Sequence, residues 1–471
     1  MMDALQVKKV FDRLNSKLSR QRRQCDSVDS WLRPELDAGF EVPRLATSEH
    51  RALRDLSRTP WLRLVVDNCV QAMYVDNVVG EDGRIDELWG LWNANRMRSQ
   101  QISNHRAMIS YGHSYAVVSP TEFGSDVPAR IRMLSPRRVA VEFDDLGAEP
   151  YPSAALELLG REGDVGRFRL RLPGVSIVLA LDNAARGDGD MGGLRIVSVE
   201  DTGLDFVPVV RFCNQLDLDG RVIGEVEPFI PAAQRINKTA YDRLLAQHFN
   251  SWKVKTATGL EMPEQVDEDG DPIPDTFDEA AAERLKVKLA QDDILTGGDG
   301  VHFGTLDATA LDPFVNSWRS DIEALAAVSQ TPAHALTGQL VNLSAEALAA
   351  ARAPLTQKVY ERQMSAGDAY SSVLRAAAKV AGMEGLARDP LIRVSWQDME
   401  IRSLAQAVDA LGKAAQMLGV PKRNLWGMIP GVEAADVVEW ERAADLELER
   451  DPLNASFSRQ ATSTITEVSG G

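Results

Sequence analysis

Two amphipathic helices that enclose a long polar insert constrain this sequence more than any other feature. The first helix spans residues 227–249, and Pro228 suits its opening turn because a proline there sacrifices no hydrogen bond. The second begins at Asp312-Pro313, a capping residue followed by proline, and runs to Val328. Residues 251–310 between them are too few and too polar to form a core of their own. Each helix carries one apolar stripe: Ala233, Ile236, Ala240 and Leu244 in the first, and Phe314, Trp318, Ile322 and Leu325 in the second.

The insert is strongly acidic. Between Lys253 and Gly300, thirteen acidic residues stand against five basic ones, a local charge of −8 within a total of −17. Its most acidic run is Asp267-Glu268-Asp269-Gly270-Asp271. A calcium-binding loop needs glycine at its sixth position and glutamate at its twelfth, and counting from Asp267 meets neither requirement. The run therefore predicts an exposed acidic turn.

Length and composition indicate a protein of several lobes. A chain of 471 residues exceeds the size at which one core usually stops growing, and its 44% hydrophobic content is ordinary for a globular protein. The net charge of −17 argues against wrapping nucleic acid, but it is compatible with a passage whose walls repel DNA. The sequence has neither a signal-type apolar segment nor a run of 18 apolar residues, so we expect a cytosolic protein that does not span a membrane.

Three widely spaced cysteines, without a CxxC pair, predict free and buried thiols in a reducing compartment. They are Cys25, Cys69 and Cys213. His105 and His113 lack a second ligand pair at metal spacing, which favours packing or surface roles over metal binding.

Residues ahead of the helix pair change from a helical period to a strand period. Residues 3–24 form a helix whose non-core face is crowded with lysine and arginine. We interpret that basic face as solvated or facing another subunit, and a contact with DNA or an acidic neighbour is the alternative. Further helices are predicted at Trp61–Val75, Leu88–Asn95 and Ser99–Tyr111. Short strand-like runs separated by turn residues then fill Ser114–Phe212 and predict an antiparallel meander, with a hairpin turn at the glycine cluster Gly187–Gly193.

After the second helix of the pair comes a loop, residues 331–343, that contains no lysine, arginine, aspartate or glutamate. Ser344 then caps a long helix that runs to about Val380 and should bend at Pro354, because an internal proline removes a backbone hydrogen bond. A strand at 391–396 and helices at 403–418, 421–428 and 432–449 follow. Residues 451–471 have too little apolar content to fold alone.

The order of these segments resembles the portal proteins of tailed phages, the head-to-tail connectors. The resemblance covers residues 3 to 450 approximately and rests on Ile236-Asn237-Lys238-Thr239, on Asn342-Leu343-Ser344-Ala345-Glu346-Ala347-Leu348 and on residues 61–77. It implies an α+β fold, mainly α with an inserted antiparallel β region, that assembles as a ring. The implied parts are a wing (1–226), stem helix 1 (227–250), a clip (251–310), stem helix 2 (311–328), a tunnel loop (329–343), a kinked long helix with the wing return (344–398), crown helices (399–450) and a flexible C-terminal tail (451–471).

The same resemblance implies a function and a set of partners. It implies a virion protein, assembled in the host cytoplasm, that forms a dodecameric ring at the unique capsid vertex, through which double-stranded DNA is packaged and ejected. The implied partners are the terminase large subunit, the head-tail adaptor, and the major capsid and scaffolding proteins, with no cofactor. The implied site residues are Thr331, His334, Gly338, Gln339 and Asn342 in the DNA channel, Asp267, Glu268, Asp269 and Asp271 for docking at the clip, and Ile236, Leu244, Phe314, Trp318 and Ile322 for packing of the stem.

Motifs for enzymatic chemistry are missing from the sequence. It has no Walker loop, nucleophile elbow, HExxH motif or zinc-ligand spacing, and its acidic pairs lie in polar, turn-rich surroundings. A packaging enzyme, one alternative, would need a phosphate loop or clustered acids at a strand end. Another ring-forming head-completion protein is the second alternative, although such adaptors are usually much shorter.

Overall fold

A computed structural model describes residues 3–33, 40–42, 47–81, 83–121, 127–145, 149–182, 192–250, 255–258, 302–305, 309–338, 345–397, 404–429 and 434–450, together with residues 265, 273 and 432. The chain divides into two compact units. The first unit comprises Met1–Ala38, Pro60–Ile230 and Ala326–Gly471, and the second comprises Gly39–Thr59 and Pro231–Leu325.

The described helices, in chain order, are α1 (Ala4–Leu32), α2 (Ser48–Ser57), α3 (Trp61–Val70), α4 (Asp86–Ala94), α5 (Met97–Tyr111), α6 (Ile230–Asn250), α7 (Asp312–Val328), α8 (Ala333–Thr337), α9 (Ala345–Val380), α10 (Glu384–Arg388), α11 (Leu404–Met417), α12 (Lys422–Leu425) and α13 (Ala434–Arg450). The strands are β1 (Val75–Gly80), β2 (Gly83–Arg84), β3 (His113–Pro120), β4 (Ala129–Leu134), β5 (Val139–Glu142), β6 (Ala154–Glu162), β7 (Val165–Leu172), β8 (Val175–Asp182), β9 (Leu194–Asp201), β10 (Val209–Cys213), β11 (Gln215–Leu216), β12 (Val222–Ile223), β13 (Lys255–Thr258), β14 (His302–Thr305) and β15 (Arg393–Trp396). Short 3-10 turns lie at Glu227–Phe229 and Trp426–Met428.

Strands β3, β4 and β10 of the predicted antiparallel meander Ser114–Phe212 lie in a separate sheet, and the prediction is confirmed for β5 to β9, which form one five-stranded sheet in the order β5-β6-β7-β8-β9. Helix α1 packs across it, and its buried stripe of Val7, Phe11, Leu14 and Leu18 shares one apolar core with β6, β7 and β8. The rings of Phe11 and Phe168 meet edge to face with their centroids 5.2 Å apart. The sheet therefore acquires an apolar cover on one face, which a half-buried antiparallel sheet requires. The glycine-rich connection from β8 to β9 joins two adjacent antiparallel strands, and its residues 183–191 lie outside the described part of the chain.

The first unit also contains two sheets of three strands each, in the orders β10-β3-β4 and β15-β1-β2, and the two-stranded sheet β11-β12. The sheet β15-β1-β2 corrects the predicted helix Trp61–Val75. The helix ends at Val70, and Val75 is the first residue of strand β1. That strand pairs with β15, placing Val75 opposite Trp396 and Val78 opposite Val394. The partner is distant in sequence, so the local pattern of apolar residues could not reveal it.

Helix α1 runs eight residues beyond its predicted end at residue 24, as far as Leu32. Its last turns are held by contacts from distant parts of the chain. The hydroxyl of Tyr111 donates to Asp29 at 2.6 Å, and the guanidinium of Arg137 lies 2.7 Å from the same carboxylate. Tertiary contacts thus extend a helix for which the local sequence gave no clear stop.

A cluster of aromatic side chains packs around Tyr370 on α9. The ring centroid of Tyr370 lies 4.7 Å from that of Phe212 and 5.2 Å from that of Trp92. Its hydroxyl oxygen is 2.9 Å from Nε2 of His105. Burial lowers the pKa of His105 and of His113 to about 4, so both are neutral packing residues near neutral pH. The predicted packing role of the two histidines is confirmed.

The second unit contains α2, α6, α7 and the two-stranded sheet β13-β14. Across α6 and α7, Nε of Arg235 lies 2.7 Å from Asp321, and the hydroxyl of Thr239 also donates to that carboxylate. Strands β13 and β14 of the insert pair antiparallel, a pairing that the sequence interpretation missed. At the foot of the insert, the side-chain amide of Asn250 donates to the carbonyl of Thr309 at 2.7 Å and accepts from its N–H at 3.0 Å.

Helices α4 to α7, α9 and α11 to α13 and strand β15 agree with the sequence prediction to within a few residues, whereas α2, α10, β2 and the strand pair β11-β12 were not predicted. The long helix α9 contains Pro354, as predicted, and α11, α12 and α13 follow β15. No helix in the described part of the chain has the length and apolar character needed to cross a membrane.

Candidate functional site

The apolar stripes of the helix pair are only partly buried. Ile236 and Ile322 are fully buried, whereas Leu244, Phe314 and Trp318 are half-buried. The guanidinium carbon of Arg243 lies 5.3 Å from the centroid of the Trp318 ring, a cation–π geometry between α6 and α7. Trp318 would contribute strongly to stability through packing only if it were fully buried, and it is not. Its stripe therefore leaves apolar surface uncovered in a single chain.

The predicted loop after the helix pair begins with a compact turn. Thr331 is 4% exposed, accepts a hydrogen bond from the Ser329 hydroxyl at 3.0 Å and donates its N–H to the carbonyl of Ala326. Gln330 adopts a φ of +54°, in the left-handed region that non-glycine residues rarely occupy. Thr331 is thus an anchor inside the protein, and its prediction as a channel-lining residue does not fit its burial.

The next residues form the short helix α8, where a loop had been expected. Pro332 precedes the helix, and Gly338 ends it with a φ of +69°, a conformation that glycine adopts without steric cost. His334 is half-buried and Gly338 is exposed. Two predicted channel residues, Gln339 and Asn342, and the four predicted docking residues of the insert lie outside the described residues; those four are Asp267, Glu268, Asp269 and Asp271.

A buried ion cluster lies where the chain enters and leaves the helix pair. Its members are Glu225, five residues before α6, and Lys358 and Arg362 on α9; each is at most 5% exposed. The Glu225 carboxylate is 2.9 Å from a guanidinium nitrogen of Arg362 and 3.4 Å from Nζ of Lys358. Lys358 Nζ also donates to the carbonyl of Ser329 at 2.7 Å, just past the end of α7. One cation on α9 therefore ties the chain before α6 to the chain after α7.

The charges in the ion cluster do not balance. Two buried cations face one buried carboxylate, and the exposed Glu361 approaches Arg362 only at 3.4 Å. The side-chain amide of Asn214 adds a hydrogen bond to Glu225 at 3.2 Å. Burial alone would raise the pKa of the Glu225 carboxyl, but the charges and hydrogen bonds of Lys358 and Arg362 outweigh it and hold that pKa below its ordinary value. Glu225 is therefore ionised throughout the neutral range.

The ion cluster was not predicted from the sequence, although one signal for it is present there. The buried face of α9 follows a helical stripe of apolar residues that Arg362 interrupts, and a charge at a core position requires a buried partner. The stripe consists of Leu355, Val359, Arg362, Ala366, Ala369 and Val373. What could not be read from the sequence is that the partner is Glu225, 137 residues earlier.

The three cysteines are free and buried, as predicted. Burial raises the pKa of Cys25 to about 12 and that of Cys69 to about 11, so neither is a reactive thiolate near neutral pH. Within the described ranges, no group of three or more histidine, cysteine, aspartate or glutamate side chains could hold a metal ion.

Comparison with known proteins identifies a family. The family model described as "Phage portal protein, SPP1 Gp6-like" matches residues 12–451. None of the curated proteins matches the chain. Similar solved structures include the neck of an empty GTA particle computed with C6 symmetry, at 13% identity and a TM-score of 0.40, covering 81% of this chain and 93% of the other. They also include the neck of a native GTA particle computed with C12 symmetry, at 12% identity and a TM-score of 0.43, covering 82% and 96%.

The family match spans both compact units, including the helix pair, the insert, the ion cluster and the long helix α9. It extends well beyond the segments on which the sequence resemblance rests. The chain belongs to the SPP1 Gp6-like family of phage portal proteins.

Proposed function

We propose that this portal protein forms a ring at one vertex of the capsid, through which double-stranded DNA is packaged and later ejected. The observation that carries the proposal is the family match over residues 12–451. We infer a structural role in the virion without enzymatic activity, so that the ATP hydrolysis driving packaging belongs to another protein.

Each segment receives a role in this proposal. Residues 1–226 form the wing, and α6 and α7 form the stem that surrounds the channel. Residues 251–310 form the clip, 329–343 the tunnel loop, 344–398 the long helix and the wing return, and 399–450 the crown, with a tail at 451–471. The uncovered apolar surface around Phe314 and Trp318 supports this assignment, because neighbouring stems in a ring would cover it.

The tunnel loop is proposed to line the narrowest part of the channel. Between Thr331 and Leu343 its sequence offers no lysine or arginine to hold a phosphate by counterion release, so DNA would slide along it. The buried ion cluster supports the assignment, since Lys358 fixes the carbonyl of Ser329, the first residue of the loop. The loop would therefore begin from a fixed point.

Partner docking is proposed at both ends of the ring. The acidic insert, with Asp267, Glu268, Asp269 and Asp271 at its centre, would bind the terminase large subunit during packaging and the head-tail adaptor afterwards. The wing and crown would contact the major capsid and scaffolding proteins. Assembly in the host cytoplasm would precede incorporation into the virion.

Images of the purified protein test the proposal directly. Negative-stain electron microscopy should show rings with a central hole. Native mass spectrometry of the purified protein should give a closed oligomer. In the virion we expect the ring to contain twelve copies. A purified ring with a different count would leave the conduit intact, because purified portals can close with another number of copies than the twelve expected in the virion. Compact monomers or dimers at high protein concentration would overturn the proposed function.

A further inference from the structure

A small hairpin projects from the first unit with its apolar residues exposed. It spans Gln215–Ile223, where β11 and β12 pair Leu216 with Val222. Leu218 at its tip is fully exposed, and Leu216 and Ile223 are 43% and 39% exposed. A two-stranded hairpin without a covering layer is marginally stable in water. In the described part of the chain, these two strands pair only with each other.

Polar contacts hold the tip of the hairpin in one conformation. The Asp217 carboxylate accepts from the backbone N–H of Arg221 at 2.7 Å and from its guanidinium at 2.8 Å. Two backbone hydrogen bonds, from Asp217 to Arg221 and from Gly220 to Asp217, close the turn. Leu218 and the exposed Asp219, whose carboxylate lies 3.5 Å from the guanidinium of Arg221, are thus presented on a fixed frame, which lowers the entropic cost of binding.

The base of the hairpin is clamped with little free space. A Cβ on Gly224 would lie 2.6 Å from the carbonyl oxygen of Ser110, so only glycine fits this close approach of two backbones. Asn214 donates its N–H to Gly112 at 2.7 Å, and Glu225 donates its own to Ile109 at 2.8 Å. Since Glu225 also belongs to the ion cluster, the hairpin is rigidly connected to α9.

The N-terminal part of α1 presents a surface of complementary charge. Lys9, Arg13, Ser16, Arg20 and Arg23 are exposed and spaced so that they lie on the side opposite the buried stripe. We call them the basic face. Arg13 pairs with Glu142, but no carboxylate within the described residues pairs with the other three cations. The hairpin tip, with two aspartates and one arginine, carries a net charge of −1.

The hairpin and the start of the basic face lie near opposite ends of α1. Tyr111, adjacent to the Gly112 that anchors the hairpin, bonds to Asp29, and Gln24 donates to Glu227 at 2.9 Å. The hairpin base is therefore close to residues 24–29 of α1. Lys9 precedes them by 15 to 20 residues, which along a helix amounts to about 22–30 Å.

We propose that the hairpin Gln215–Ile223 of one copy docks on the basic face of α1 in the next copy. Leu218 packs on the aliphatic stems of the basic side chains, and Asp219 meets their charges. Two different, complementary surfaces on each copy make a head-to-tail contact, the kind that closes a ring of identical chains. This contact rests on the proposed ring and identifies the surfaces that build it.

Cysteine crosslinking tests the contact in the full-length protein. Because all three native cysteines are buried, a bismaleimide should react only with introduced thiols. The double variant Leu218→Cys with Ser16→Cys should give a ladder of covalent oligomers, whereas each single variant should not. Leu218→Cys with Thr356→Cys is the matched control, since Thr356 is exposed on α9 and does not belong to the basic face, and it should give no ladder.

The outcomes separate the contact from the ring itself. Rings without a ladder, or an equal ladder from the control, would overturn the docking proposal and leave the ring standing. Absence of rings in the unmodified protein would overturn both. A Leu218→Cys thiol that a maleimide labels as fast in the ring as in a dissociated protomer would show that the tip is free for another partner, and would also overturn the contact.

A charge exchange provides a second measurement. Asp219→Lys, or Lys9→Glu with Arg20→Glu, should raise the protomer concentration needed for half-assembly about tenfold, the factor that corresponds to about 1.4 kcal/mol. Combining the three changes should restore most of the loss if the charges meet directly. Additive losses in the combined variant would contradict the pairing.

Discussion

Glu225 links three parts of the chain that are distant in sequence. Its carboxylate joins α9, the hairpin base and the chain just before α6, and it is surrounded by two buried cations. Such a cluster is weak as a source of net stability, because desolvation of the charges offsets much of their attraction. Its effect is to specify one arrangement, since every alternative leaves a buried charge without a partner.

Glu225→Gln should lower the free energy of unfolding of the first unit by about 3–5 kcal/mol, because Lys358 and Arg362 remain buried without a counter-charge. Chemical denaturation followed by circular dichroism measures the change. Glu361→Gln is the control, since that carboxylate is exposed and should contribute little. Equal effects of the two variants would show that the buried cluster is not specific.

The same cluster should give the protein an acid-sensitive stability. The pKa of Glu225 is lowered in the folded state, so its contribution is present above the unfolded value of about 4.3 and is lost as the pH falls through the folded pKa. The difference in unfolding free energy between wild type and Glu225→Gln should therefore be constant from pH 8 to about pH 5 and shrink below about pH 4. A difference that grows on acidification would contradict the assignment.

Trp318→Ala should cost about 1–2 kcal/mol of stability in the single chain, below the 3–5 kcal/mol of a fully buried aromatic side chain. The ring is half-buried and stacks with Arg243. A double-mutant cycle with Arg243→Gln should give a coupling of about 0.5–1 kcal/mol. Trp318→Phe, which retains a ring face, should lose less. Zero coupling would mean that the stacking contributes nothing.

Burial of individual residues was predicted well from the sequence where it follows from the apolar stripe of a single helix. Ile236 and Ile322 are buried as their helical spacing indicated, and the three cysteines are buried thiols. Thr331 was assigned to the channel by resemblance, yet its hydroxyl is enclosed in a turn whose partners, Ser329 and Ala326, only the folded backbone reveals.

At the scale of elements, prediction succeeded where the periodic pattern is long and failed where pairing is distant. Helices α6, α7 and α9 and the five-stranded meander follow from local periodicity. Strand β1 was not predicted, and its first residue, Val75, was read as the end of a helix, because its partner β15 is more than 300 residues away. The ion cluster was missed for the same reason, since its two cations and its carboxylate come from distant segments.

Pro354 lies within α9, about ten residues from its start, where a proline lacks a helical hydrogen bond. Pro354→Ala should raise the melting temperature, with a gain of up to about 3 kcal/mol in helix stability. Gln357→Ala, one turn further along, is the control and should change little. If a bend at Pro354 serves DNA passage, the stabilised variant should also package more slowly. A lower melting temperature would mean that the proline fits a bend fixed by packing.

The acidic run of the insert gives a prediction about partner binding. Reversing Asp267, Glu268 and Asp269 to lysine should leave ring assembly intact and weaken binding of terminase and of the head-tail adaptor, because six units of charge change on an exposed turn. Pull-down at two salt concentrations measures the loss, which should diminish at high salt. Unchanged pull-down would show that the run is merely solvated.

At the scale of the whole molecule, the proposed tunnel loop can be tested by placing charge in the ring. Gln339→Lys with Asn342→Lys would add two positive charges from each subunit to one collar. Assembly should be normal, while packaging slows or retention of DNA is impaired, because a basic collar holds phosphates. Gln339→Ala with Asn342→Ala is the neutral control. Wild-type packaging rate and DNA content in the lysine variant would place the loop away from the DNA path.

The paired hydrogen bonds between Asn250 and Thr309 have a consequence for how the insert can vary in evolution. These two hydrogen bonds, with the ladder from Lys255 to Thr258 against His302 to Thr305, hold the ends of the insert side by side. The entropic cost of closing the intervening segment grows only with the logarithm of its length. The length and sequence of the insert can therefore change in evolution as its partner changes, without changes in the two helices that flank it.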